Sequence, residues 1–365
     1  MPTALRLQKS VCLAFGIIIA FGVMEGAHAT PVMTWSAANI NSATSVYYDT
    51  ANPDFAIDYT GATVQLSAAG THTLYYSNGS GGLTAKPITD DVSAVASLAT
   101  GELKSKAYLE YGANSGDPMP IGQSNGNSST FIQLADSFRA YSGTTPYLWN
   151  DGTTVHFDFS VTGSESLPPG LQVPTGFDPG QPKNNVGNLL QVAIYQPGAL
   201  DLIYQLTNFD PSAYPDSDTA NAAFVALIDQ LNAMYISGDY WYLGDLISPF
   251  TATADPNKIL AIDPNNPTQI SYDFTPGGDF DWVLNLSSDI QLDASLENIS
   301  ALFDFSHTVT TGYVGPSGTT TFSASGLFPG TVALSTLQPS VPEPATLDLL
   351  LLGLSGLAVS RKRKT

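Results

Sequence analysis

The chain is written mostly in period two. Over 154–162, Val155, Phe157, Phe159 and Val161 alternate with His156, Asp158 and Ser160, the pattern of a strand with one buried face. Asn150-Asp151-Gly152 just before it is a turn signal of the hairpin kind. Over 102–111, Leu103, Ser105, Ala107 and Leu109 take one side, while Glu102, Lys104, Lys106, Tyr108 and Glu110 take the other, a half-solvated strand. Shorter segments of the same character cover 62–67, 71–76, 131–138, 190–195, 270–274, 280–286, 290–296, 301–309 and 319–324. Many short strands separated by turn residues predict an all-β fold, an antiparallel β-sandwich of jelly-roll type.

One stretch has the other period. Ala220, Ala223, Phe224, Leu227, Ile228, Leu231, Met234 and Tyr235 recur at helical spacing over 217–236. Asp216-Ser217-Asp218 offers N-cap oxygens in front, and Gly238 is the expected stop. This predicts one amphipathic helix laid on the sandwich with its apolar stripe in the core. A Pro/Gly-rich run over 164–187 reads as an extended loop, and Ser77-Asn-Gly-Ser-Gly-Gly82 closes an N-terminal β-rich region. The expected organisation is a signal peptide over 1–29, the β-rich region over 30–85, the sandwich over 86–340 and a distinct tail over 341–365.

Both ends carry export signals. Arg6 and Lys9 precede an apolar run from Val11 to Val23, and Ala27-His28-Ala29 supplies small residues at Ala27 and Ala29 for cleavage. At the other end, Pro342-Glu343-Pro344 holds the backbone extended. A Leu/Gly-rich apolar run over 349–359 follows, suited to a transmembrane helix although shorter than the ~20 residues that usually span a bilayer. Arg361, Lys362, Arg363 and Lys364 then act as a stop-transfer cluster on the cytoplasmic side.

This order of parts resembles the PEP-CTERM sorting signal, with Asp348 departing from the small or apolar residue usual in that family. The resemblance implies recognition and removal of the tail by an exosortase, after transient insertion in the inner membrane. It implies delivery to the surface of an exopolysaccharide-making Gram-negative bacterium. Residues 96–104, 303–308 and 321–327 resemble the β-rich region common in such proteins; no catalytic residue comes with them.

Composition narrows the chemistry. Cys12, the only cysteine, lies in the signal, so the exported part has no disulfide, thiol nucleophile or thiolate metal site. Leaving out Glu25, Glu343, Asp348, Arg6, Lys9 and the four terminal basic residues leaves 29 acidic and six basic residues, a net charge of −23. That balance excludes nucleic acid as a partner and favours solubility outside the cell. It admits calcium, which takes carboxylate oxygens. Asp216-x-Asp218 opens like a calcium loop, but Ala220 and Leu227 occupy ligand positions, and a helix N-cap accounts for the acids better. Asp279 and Asp281 are calcium candidates by composition alone.

His72, His156 and His307 are isolated, with no metal-ligand spacing. Gly122-Gln-Ser124-Asn-Gly126 matches a nucleophile-elbow string, but Pro118-Met-Pro120 and Asn127-Ser-Ser129 around it read as a polar loop. Tyr147-Leu-Trp149 and Tyr240-Trp241-Tyr242 are candidate sugar-stacking aromatics against the simpler reading as core. The expectation is therefore an exported, non-enzymatic surface or exopolysaccharide-matrix protein without a cofactor. The carbohydrate candidates are Trp149, Tyr240, Trp241 and Tyr242. A secreted polysaccharide-degrading enzyme with hidden paired carboxylates, or a calcium-dependent adhesin, are the alternatives.

Overall fold

A computed structural model describes residues 34–42, 54–58, 63–77, 83–113, 125–150, 152–169, 171, 184–246, 254–293 and 296–333. The predicted signal peptide, sorting tail and residues 172–183 of the linker lie outside them, as do Ser124 and the side chains of His72 and His307.

The described chain forms two sheets. The larger contains β1 (Trp35–Ser42), β2 (Asp54–Asp58), β6 (Asn125–Ser142), β7 (Thr145–Pro146), β9 (Asn185–Tyr195), β10 (Tyr235–Leu243), β11 (Ile259–Leu260), β13 (Phe280–Asp293), β15 (Thr320–Ser323) and β16 (Val332–Ala333). Its main path runs β11-β10-β9-β13-β6-β1-β2. The smaller sheet contains β3 (Val64–Ser77), β4 (Leu83–Ser97), β5 (Glu102–Tyr111), β8 (Val155–Ser166), β12 (Thr268–Phe274) and β14 (Ile299–Val314), ordered β12-β8-β14-β5-β4-β3 and antiparallel throughout. Strands of the N-terminal β-rich region are shared out: β1 and β2 join the larger sheet through β6, and β3 joins the smaller through β4.

Alternation decides what lies between the sheets. Val155, Phe157, Phe159 and Val161 of β8 and Leu103, Ala107 and Leu109 of β5 point into one core with Ile132, Leu134 and Phe138 of β6 and Trp282, Leu284 and Leu286 of β13. Phe138 sits at its centre, with ring centroids 4.7 to 6.0 Å from Tyr313, Phe328, Trp282, Phe280 and Phe157. Each such pair adds about 0.5–1.5 kcal/mol beyond the area it buries. One polar knot crosses this core: the Ser105 hydroxyl lies 2.5 Å from Thr130 and 2.6 Å from Ser288, tying β5 to β6 and β13.

Two helices, not one, lie on the outer face of the larger sheet: α1 (Ala199–Thr207) and α2 (Ser217–Met234). α1 presses Leu200, Ile203 and Leu206 onto Ala37, Ala135, Ala193 and Val283. α2 then packs on α1, so only its Ala220 and Leu231 are buried while Phe224, Leu227 and Ile228 are half-buried. The predicted stripe therefore faces a neighbouring helix rather than the sandwich core. Nor is Gly238 the helix stop. Backbone at Tyr235 is already extended and passes straight into β10, where Gly238 is needed because a Cβ would fall 2.7 Å from the Val192 carbonyl.

Candidate functional site

Strand alternation splits the aromatic triplet of β10. Trp241 points inward, 6% exposed, against Phe159 at 5.7 Å and Tyr272 at 6.2 Å, with the Lys258 ammonium over its ring at 5.3 Å. Tyr240 and Tyr242 point outward, half-buried, their rings edge-to-face at 5.7 Å. Burial, then the neighbouring Tyr240, pushes the Tyr242 phenol upward, so it remains a neutral donor. The three aromatics thus do not share a face, and Trp241 belongs to the core. Trp149 lies elsewhere, half-buried and edge-on to Tyr147 at 5.4 Å and Phe280 at 6.4 Å.

What surrounds the two tyrosines follows from the register. Tyr242 stands beside Leu189, Ser287 and Phe131, one residue from each of four adjacent strands. The next row is Tyr240, Gln191, Asn285 and Gln133. Gln133 Nε2 donates to Asn285 Oδ1 at 2.8 Å, and both side chains are buried, which leaves Gln191 as the partly exposed amide of the row. At ~4.8 Å between strands, the first row puts Tyr242 and Phe131 at its two ends, about 15 Å apart. These rows lie on the same outer face that carries α1.

Three acids, Asp281, Asp136 and Asp289, are held by hydrogen bonds from neighbouring segments. Asp281 Oδ2 accepts from the amides of Gly198 at 2.8 Å and Leu200 at 3.2 Å, and its Oδ1 accepts from Ser137 Oγ at 2.6 Å. It thereby caps α1, whose own N-cap, Gly198, has no side chain to do so. Asp136 accepts from Ser325 Oγ at 2.5 Å and from the Ser325 and Ser137 amides, fastening the segment after β15. Asp289 accepts from Asn185 Nδ2 at 2.8 Å. Burial raises all three; Asp136 and Asp289 are pushed up to about 6. Asp279 is raised too, chiefly by burial, against the opposing pull of the Trp149 indole and Arg139, whose Nε lies 4.0 Å away.

No group of three or more His, Cys, Asp or Glu that could hold a metal occurs among the described residues. Asp216 accepts from the Thr219 amide at 2.8 Å as the N-cap of α2, which holds its carboxyl below the usual range. His156 lies on the outer face of β8, 3.3 Å from Asp158 and 3.8 Å from Asp273. The nucleophile-elbow string leads into strand β6, whereas an elbow needs a helix there.

Compared with known protein families, residues 340–364 match the PEP-CTERM protein-sorting motif. The chain carries a PEP-CTERM sorting motif. It implies processing by an exosortase and export to the cell surface. The match takes in Pro342, Glu343, Pro344 and the Arg361–Lys364 cluster, all beyond the described residues. No curated protein and no solved structure matches the chain. Among the described residues no helix is long and apolar enough to cross a membrane. The sorting motif thus addresses the protein, and Tyr240 and Tyr242 place half-buried aromatic rings on the outer face of the larger sheet.

In the sequence Asp136 drew no functional reading, and Asp281 drew only that of a calcium candidate by composition, not of a helix cap. Asp136 did leave a trace: it shares the period-two phase of Ile132, Leu134 and Phe138, so an acid was bound to be buried. Asp281 left none, because its partners lie some 80 residues away at Gly198 and Leu200.

Proposed function

We propose that the protein is a non-enzymatic component of the cell surface or exopolysaccharide matrix, delivered by its sorting motif and associating with carbohydrate through the outer face of the larger sheet. The sorting motif is the observation that carries this reading. The face around Tyr240 and Tyr242 supports it: half-buried aromatic rings beside the partly exposed Gln191 amide and Ser287 hydroxyl suit a ligand with apolar ring faces and many hydroxyls. The non-catalytic reading is supported by Asp281, Asp136 and Asp289, which accept hydrogen bonds from Gly198, Leu200, Ser137, Ser325 and Asn185.

Co-sedimentation of the exported protein with polysaccharide from its own producer tests the proposal. Binding is expected, weakened at least tenfold by Tyr240→Ala with Tyr242→Ala at an unchanged melting temperature. Failure to co-sediment with that polysaccharide, or hydrolysis of it, would overturn the proposal.

A further inference from the structure

The edges of the two sheets are unequally protected. A free edge strand offers a row of main-chain donors and acceptors to any other strand, and edges are normally blunted by charge, proline, bulges or shortness. On the larger sheet, β11 is two residues long and β2 is five, beginning and ending with Asp54 and Asp58. On the smaller sheet, β12 is seven residues long and carries Asp273.

β3 has none of these defences. It runs for 14 residues and contains no Asp, Glu, Lys, Arg or Pro, in a chain of net charge −20. Its pairing with β4 is unbroken from Val64↔Ala96 to Ser77↔Leu83, with no bulge to twist the edge away. Charged residues and a proline do occur one strand further in, as Lys86, Pro87, Asp90 and Asp91 on β4. Among the described residues nothing pairs with the other side of β3. Gln65, Ser67, Ala69 and Thr71 are exposed on one of its faces.

We infer that β3 is a self-association edge, pairing with β3 of a second copy as antiparallel strands about a two-fold axis. A copy of this chain fits for three reasons. It offers an edge of equal length, so every donor row meets its own complement, as an isologous contact requires. It brings no charge to the seam, which matters where two bodies of net charge −20 must approach. The join of two six-stranded antiparallel sheets also keeps strand direction alternating across the seam. A strand pair buries little area, so the dimer is a weak, concentration-dependent one. Added salt strengthens it by screening the acidic bodies.

Sedimentation velocity on the exported protein, across a concentration series at low and high salt, tests this. A monomer–dimer equilibrium shifted toward dimer by salt is expected. Ala69→Lys with Thr71→Lys places like charges opposite one another at the axis, which falls at residue 70 or 71 when the strands pair over their full length, and should raise the dissociation constant at least tenfold. Ala69 lies opposite Asp91, so the new lysine gains a partner within its own chain and the melting temperature is expected to hold. A second readout uses single cysteines at Gln65, Ser67, Ala69 or Thr71 of the exported protein: oxidation should cross-link copies at one or two adjacent positions and not at a control on β12. A monomer at every concentration, a dimer unaffected by the double lysine variant, or cross-linking independent of position would each overturn the inference.

Discussion

Replacing Asp281 by alanine removes three hydrogen bonds at once and leaves their donors inside the protein. The Gly198 and Leu200 amides belong to the first turn of α1, where no intrahelical acceptor exists. Loss of such a cap costs about 1 kcal/mol. The Ser137 hydroxyl, 8% exposed, loses its partner at about 1–3 kcal/mol. Against this, the native structure no longer has to bury a carboxylate whose raised pKa shows that the charge is held at a cost. The net expectation is a loss of about 2–3 kcal/mol, or about 5–8 °C in melting temperature for a domain of this size. Because α2 rests on α1, hydrogen exchange should accelerate first in residues 199–234 and not in β8 or β13. Asp281→Asn keeps an acceptor for the amides and should cost less than about 1 kcal/mol. A melting temperature for Asp281→Ala within ~1 °C of the parent, or accelerated exchange spread evenly over both sheets, would refute this account of how the helical layer is attached.

Three further outcomes follow from the same geometry. Asp136 and Asp289, pushed up to about 6 from an ordinary value of 3.8, hold protons in the folded state that the unfolded chain releases. Their contribution is therefore fully present below about pH 4, declines as pH rises to about 6 and is flat beyond. The Asp136→Asn, Asp289→Asn double variant should lose that decline in thermal melts between pH 4 and 7; an unaltered profile would contradict it. Trp241→Ala should cost about 3–5 kcal/mol as a core truncation, whereas Tyr240→Ala, from the outward face, should cost under about 1. Similar losses from the two, measured by urea unfolding, would contradict the split of the triplet. Gly163→Ala places a Cβ 2.6 Å from the Phe305 ring between β8 and β14, and should destabilise by about 1–3 kcal/mol on the same assay.

Much of the sandwich was legible where alternation was strong. The inward phase of Val155 to Val161 and of Leu103 to Leu109 is as the periodicity predicts, Ser105 included. Where residues are small or polar, strands were read as fragments. The pieces 62–67 and 71–76 are one strand, because β4 carries pairing through Ala68-Ala69-Gly70 regardless of side chain. Likewise 280–286 and 290–296 are one strand to Asp293, with Ser288 facing inward to meet Ser105. β4 was passed over because Lys86, Pro87, Asp90 and Asp91 look like a loop, although Lys86 and Asp90 lie inside. α1 is nine residues long and lacks a local cap, so its start is set by Asp281, a distant partner that local patterning cannot register. At the candidate surface, the aromatic composition was legible, but the separation of Trp241 from Tyr240 and Tyr242 appears only once β10 is known to be a strand.

The central claim is that the sorting motif directs this sandwich to the cell exterior, and intact mass with location, in producing cells with and without the exosortase, tests it most directly. The expected product lacks residues 1–29, is trimmed near Pro342 and is found outside the cell only when the exosortase is present. A full-length C-terminus lodged in the membrane of both strains would contradict it and remove the basis for the matrix role.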